Sequence, residues 1–227
     1  MSRRDPHTFL DTLGLAGDGD DIDLLREIEA SFGVAFDDEA GDWRTVGDLY
    51  WALVRRVGTD EAGLCATSMA FYALRGALEQ QGRTDPRAGP TSRLATLTRL
   101  PPKRLYASLT RELGLKLPAP PSGWAGTLGL CLCLAAAPGA VVALFQPALW
   151  PWLAAGVAAG VALLRLDPGA YGELTLGDLA RETAARNNAR FVAKGADTRH
   201  EAVWRALRDL LAADGHQNVG LETRLIA

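Results

Sequence analysis

Apolar positions follow two regimes along this chain. Over most of it they recur at helical spacing between charged residues, whereas residues 117–164 contain no Asp, Glu, Lys or Arg at all. In the first regime, Val46, Leu49, Tyr50, Leu53 and Val54 fall on one helical face. Thr45, followed three residues on by Asp48, predicts a capping-box start for that helix. The same word returns much later: Thr45-Val46-Gly47-Asp48-Leu49 is matched by Thr175-Leu176-Gly177-Asp178-Leu179. Phe71-Tyr72-Ala73-Leu74-Arg75 is matched by Trp204-Arg205-Ala206-Leu207-Arg208. Each of these is followed by a glycine, Gly82 or Gly215, and then by Ser92-Arg93-Leu94 or Thr223-Arg224-Leu225. Residues 24–34 match residues 105–115, with Ile28 aligned to Leu109 and Gly33 to Gly114. The three pairs together predict two copies of a three-helix unit, in an unusual order along the chain.

The charge-free regime predicts a hairpin. A spanning helix needs roughly 20 apolar residues. Two spans fit, at 124–144 and 149–164, broken at Gln146-Pro147, with Trp150 and Trp152 as an interfacial belt. Gly156 and Gly160 form a small-xxx-small pair suited to close helix packing. Lys103, Arg104, Arg111 and Lys116 precede the run and Arg165, Arg181, Arg186 and Arg190 follow it. By the positive-inside rule both termini are then expected in the cytoplasm, with the chain in a bacterial inner membrane and the lipid bilayer as one partner. The N-terminus is charged and carries no secretory signal pattern.

Charge and composition narrow the functions. The net charge of -3 argues against a nucleic-acid partner, which requires an excess of Lys and Arg. The charge is uneven: residues 1–58 carry 13 acidic and 6 basic residues, residues 65–116 carry 3 and 9. Either these are two solvated surfaces, or the segments face each other or a charged neighbour. The three cysteines form neither a disulfide framework nor a metal motif and read as small apolar fillers. The three histidines lack ligand spacing, so no metal and no cofactor is expected. No nucleophile–base set or phosphate-binding glycine loop is present, and the expectation is a protein that is not an enzyme.

Asp21-Ile22-Asp23-Leu24-Leu25-Arg26-Glu27-Ile28-Glu29-Ala30-Ser31-Phe32-Gly33-Val34 and Thr45-Val46-Gly47-Asp48-Leu49, with Phe9 to Gly14 ahead of them, resemble helices II and III of an acyl carrier protein. The segment from Val203 to Leu211, followed by Val219 to Ile226, looks like that family's first helix and loop. The resemblance implies a permuted module with helices II and III in residues 21–56 and helix I in residues 199–213. A second module would take helix I from 67–80, helix II from 102–113 and helix III from 176–187, with the hairpin inserted between its helices II and III. The expected fold is therefore all-α, two small acyl-carrier-like helical bundles plus a two-helix transmembrane hairpin. Its segments are 1–60, 61–120, 121–166, 167–195 and 196–227.

The family carries its acyl group on phosphopantetheine, attached to a serine at the start of helix II. Asp18 stands at that serine's position, and the matching stretch of the second unit, Leu97-Thr98-Arg99-Leu100-Pro101, has a threonine but not the surrounding motif. The resemblance thus implies a non-catalytic scaffold or interaction module for an unidentified protein partner or another copy. Two alternatives stand beside it, a carrier with an unorthodox attachment site and an oligomerising hairpin. Asp20, Asp21, Asp23 and Glu27 match the acidic helix II face that in the family meets basic partners. They equally suit a helix N-terminus, where the dipole favours negative charge.

Overall fold

The computed structural model describes residues 10–15, 19–36, 43–58, 61–82 and 88–226, with the side chains of residues 20, 138, 140–145 and 147 outside the description. The helices form where periodicity and capping residues place them. They are α1 (Asp20–Phe32), α2 (Val46–Val57), α3 (Ala66–Gln80), the one-turn α4 (Leu94–Leu97) and α5 (Pro102–Leu113), then α6 (Trp124–Phe145) and α7 (Trp150–Leu166), then α8 (Leu176–Arg186), the short α9 (Asn188–Val192) and α10 (His200–Ala213). Two short strands, β1 (Thr12–Leu15) and β2 (Arg224–Ile226), pair in parallel. The all-α expectation missed this pair, because three or four residues are too few to show a period of two.

Two hydrophobic cores result. In the first, Ile28 of α1, Leu49 and Leu53 of α2, and Val203, Leu207, Leu210 and Leu211 of α10 are buried together, with Leu25 and Trp204 packed against them. The Tyr50 and Trp204 rings meet in a T-shaped contact at 5.3 Å between centroids, and the Tyr50 hydroxyl donates to the His200 carbonyl at 3.1 Å. In the second core, Leu74 and Leu78 of α3 meet Leu105 and Leu109 of α5 and Leu176 and Leu179 of α8. The last residues of the described chain thus complete a lobe begun by its first. α8 also packs against α1 and α10, which joins the lobes.

The lobes repeat each other down to backbone hydrogen bonds. At the start of α2, the Val46 N–H donates to the Thr223 carbonyl and the Gly47 N–H to the Leu221 carbonyl, both at 2.8 Å. At the start of α8, the Leu176 N–H donates to Ser92 at 2.9 Å and the Gly177 N–H to Pro90 at 2.8 Å. The return bonds, Leu225 N–H to the Arg44 carbonyl and Leu94 N–H to the Leu174 carbonyl, are both 2.9 Å. The preceding turns match too, since the Gly220 N–H donates to Thr223 Oγ1 and the Gly89 N–H to Ser92 Oγ, each at 3.0 Å. These loops lie so close that a Cβ on Gly47 would sit 2.9 Å from the Leu221 oxygen, and one on Gly177 2.8 Å from the Pro90 oxygen. Glycine is required at both places for that approach.

Both capping boxes are present. Thr45 and Thr175 accept from the Asp48 and Asp178 N–H groups at 3.2 and 3.1 Å, and each aspartate accepts from the threonine N–H in return. Thr45→Ala and Thr175→Ala are each expected to cost about 1 kcal/mol, read as lower urea midpoints at unchanged slope. The N–H groups of Thr45 and Arg44, and after them the Thr45 hydroxyl that donates at 3.0 Å, hold the Asp48 carboxyl below its ordinary pKa. A depressed carboxylate adds stability above the unfolded pKa of about 3.9 and loses it as pH falls through the folded value. The Thr45→Ala penalty should therefore shrink in acid.

The hairpin forms, but not as a transmembrane one. α7 has 17 residues, about 26 Å at 1.5 Å per residue, against a hydrocarbon core of about 30 Å, and its last turn holds Arg165. Among the described residues no helix is long and apolar enough to cross a membrane. The expected transmembrane hairpin, and with it the bacterial inner-membrane location with cytoplasmic termini, is corrected accordingly. The shortfall is in the second leg: a 3-10 turn, Pro147–Leu149, stands at the expected break, and α7 beyond it has too few residues to span. Within the hairpin, a Cβ on Gly129 would lie 2.6 Å from the Gly160 oxygen and one on Gly160 2.8 Å from Cys133 Sγ. Gly156 meets nothing within 4 Å, so the close contact is Gly129 on Gly160 across the helices, rather than two glycines on one.

Candidate functional site: the start of α1 and the seam between the lobes

Of the four acidic residues at the start of α1, Asp21, Asp23 and Glu27 do not share one outward face. Asp18, at the position of the carrier serine, lies outside the described residues. Gly19 precedes α1 at φ 118°, and no side chain caps the helix. Asp20 opens it. Asp21 is half-buried beside an apolar pocket of about 210 Å³ lined by Leu15, Leu25, Leu49 and Ile226, and its Oδ1 is buried without a hydrogen-bond partner among the described residues. Asp23 points to solvent and pairs with Arg26 of its own helix at 3.7 Å, a contact of little energetic weight. Glu27 is different, with a side chain only 22% exposed and turned into the seam.

There Arg186, at the last turn of α8, pairs with Glu27 and reaches Asp214 at 3.3 Å, its side chain 12% exposed. Lys116 adds a second cation to Glu27 at 3.4 Å. The acidic first segment and the basic middle segment therefore meet within the molecule at this point. Asn187 fixes Lys116 in place, accepting from its N–H at 2.9 Å and donating to its carbonyl at 2.8 Å, with a further bond to the Thr183 carbonyl at 2.8 Å. Burial, reinforced by the charge of Glu27, raises the Asp214 carboxyl above its ordinary pKa, while Arg186 pulls the other way.

In the second lobe, Thr98 is buried and its hydroxyl accepts from the Leu100 N–H at 3.2 Å. It is not presented to a modifying enzyme. Sequence reasoning missed Arg186, Asn187 and Asp214 as seam residues; the only signal was the charge asymmetry between the segments. Among the described residues no group of three His, Cys, Asp or Glu is placed to hold a metal ion.

No protein-family model, no curated protein and no solved structure matches the chain.

Proposed function

We propose that this protein is a non-catalytic, acyl-carrier-like interaction module that works as a pair, two copies joining through the apolar faces of their hairpins. The observation that carries this reading is the surface of α6 and α7. Trp124, Leu128, Leu130 and Leu134 on one helix and Trp152 and Leu166 on the other are all exposed, on a hairpin whose run 117–164 is free of charge. Apolar patches of that kind mark interaction surfaces. Two identical copies meet most simply through the same patch around a two-fold axis. The carrier-like plan is supported by the doubled three-helix unit, and the non-catalytic reading by Asp18 standing where the family has its serine.

Light scattering on the purified full-length chain tests the pairing. A two-copy mass is expected, and the double variant Leu128→Glu, Leu134→Glu should reduce it to one copy with unchanged helical circular dichroism. Each leucine is worth about 1.5–3 kcal/mol when covered, and a buried carboxylate reverses that gain. A wild-type chain that stays monomeric overturns the pairing. Intact mass addresses the rival carrier reading: a phosphopantetheine adduct on any residue would replace an interaction role with a carrier role.

A further inference from the structure

The apolar pocket beside α1 lies where the two lobes differ in one large side chain. It is walled by Leu15, Leu25, Ile28, Trp43, Leu49 and Leu225, and its volume is about 210 Å³. Much of this frame is common to both lobes. Leu49 and Leu225 correspond in the repeat to Leu179 and Leu94, which are buried in the second core. The pairing of residues 24–34 with 105–115 sets Leu25 opposite Tyr106. Tyr106 is 4% exposed within that second core, so a large ring occupies the volume that Leu25 leaves open. Protein interiors rarely keep such a void, and an apolar cavity of about 150 Å³ already admits benzene.

The chemistry at the rim is one-sided. Asp21, in the first turn of α1, borders the pocket, and among the described residues no other charged side chain lines it. The Asp21 Oδ1 is buried and accepts no hydrogen bond among the described residues. A carboxylate oxygen held out of water in this way favours a donor, and a positively charged donor most. The nearby cations are engaged elsewhere: Arg26 pairs with Asp23, while Lys116 and Arg186 pair with Glu27. Residues 1–58, with 13 acidic against 6 basic side chains, add a field that draws cations to this lobe.

We propose that this pocket binds a small primary amine with an apolar tail, an arylalkyl- or alkylammonium ion of about eight carbons. The tail lies against Leu25, Leu49 and Leu225, and the ammonium group donates to Asp21. An ammonium has three donors and no acceptor, which suits a carboxylate that lacks a partner. Its charge-assisted bond is roughly twice as strong as a neutral one, so an alcohol of the same shape is the weaker ligand. A carboxylate of the same shape meets like charge at Asp21. The size limit comes from the walls, since a cavity near 210 Å³ holds one ring with a short arm and lies below the usual range of drug-sized sites, roughly 300–1,000 Å³. None of the lining residues belongs to the hairpin, so this site stands whether or not two copies pair.

The test titrates the purified full-length chain in a calorimeter with phenethylamine, with phenethyl alcohol and hydrocinnamate as controls of matched tail. Phenethylamine is expected to saturate one site per chain with a Kd of about 1 mM or tighter. The alcohol should bind about tenfold more weakly, and hydrocinnamate more weakly still. Asp21→Asn should weaken the amine about tenfold and leave the alcohol within about twofold. Leu25→Tyr, which places in this lobe the ring that Tyr106 supplies in the other, should abolish binding of amine and alcohol at unchanged circular dichroism. The wild-type chain alone can overturn the proposal: no saturation by phenethylamine up to about 10 mM removes the site, and equal or tighter binding of the alcohol or the acid removes recognition of a cation. Undiminished amine binding in Asp21→Asn, or in a folded Leu25→Tyr chain, overturns it as well.

Discussion

Removing residues 199–227 is expected to unfold the lobe built on α1 and α2 while the lobe built on α3, α5 and α8 persists. The deleted segment carries Val203, Leu207, Leu210, Leu211 and Val219, all at most 3% exposed. At about 1.5–3 kcal/mol for each buried apolar side chain, their loss comes to about 7–15 kcal/mol, comparable with the whole stability of a typical domain. The deletion also strips the Val46 and Gly47 N–H groups of their partners at the start of α2. The other core, around Leu74, Leu105, Leu109, Leu176 and Leu179, draws no residue from the deleted part. Hydrogen exchange provides the measurement: amides of α1 and α2 should lose protection and those of α3, α5 and α8 keep it. A peptide of residues 199–227 added back should restore protection. Slow exchange in α1 of the truncated chain would contradict the interleaved core.

Arg186→Met should be the most damaging single substitution in the seam. Breaking a buried ion pair by deleting one partner costs about 3–5 kcal/mol. Here Glu27 and Asp214 keep about a quarter of their side-chain exposure and Glu27 retains Lys116, so about 2–3 kcal/mol is expected. For a chain of this size that lowers the melting temperature by about 5–10 °C. Glu27→Gln in the same chain should recover part of the loss, because the stranded charge is then gone. The pH dependence has a definite sign. A carboxyl whose folded pKa is raised, as at Asp214, makes the folded state the better proton binder, so stability falls as pH rises from the unfolded value of about 3.9 through the folded one. Arg186 opposes that rise, and removing it extends the window upward. The variant's deficit should therefore be larger at about pH 7 than at about pH 4. Melts that show an equal deficit at both would assign the loss to packing rather than charge.

The helices were legible because their evidence is local. Thr45 with Asp48, Thr175 with Asp178, and glycines after α1 and α5 mark ends within a few residues, and Gly33 and Gly114 do adopt the left-handed conformation there, at φ 68° and 64°. The duplication was legible because equal words, such as Thr223-Arg224-Leu225 and Ser92-Arg93-Leu94, make equal hydrogen bonds. The seam was not legible. Glu27 and Arg186 are 159 residues apart, and nothing in the surroundings of either says that they meet. The acidic face is a related case, since spacing places Asp23 and Glu27 on one side of α1 but does not reveal that Arg186 covers only one of them. The hairpin was misjudged in the opposite direction, because the absence of charge reports apolarity and not helical length. Cys65 passed as filler although it is exposed, because exposure cannot be read from a single small residue.

The chain leaves the second lobe for the hairpin and re-enters it at one place. Asp167, 3% exposed, accepts from the Gly123 N–H at 2.8 Å, and the Ala170 N–H donates to the Pro121 carbonyl at 3.2 Å. A Cβ on either Gly123 or Gly126 would run into the same carboxylate. The lobe therefore meets the insertion as a closed staple whose two legs stand side by side, not as two distant chain ends that the hairpin must hold together. Such a socket accepts any segment whose ends lie equally close. The hairpin can be exchanged or trimmed over the course of evolution without altering the packing of α5 against α3 and α8, so the lobes and the element they display are free to vary independently.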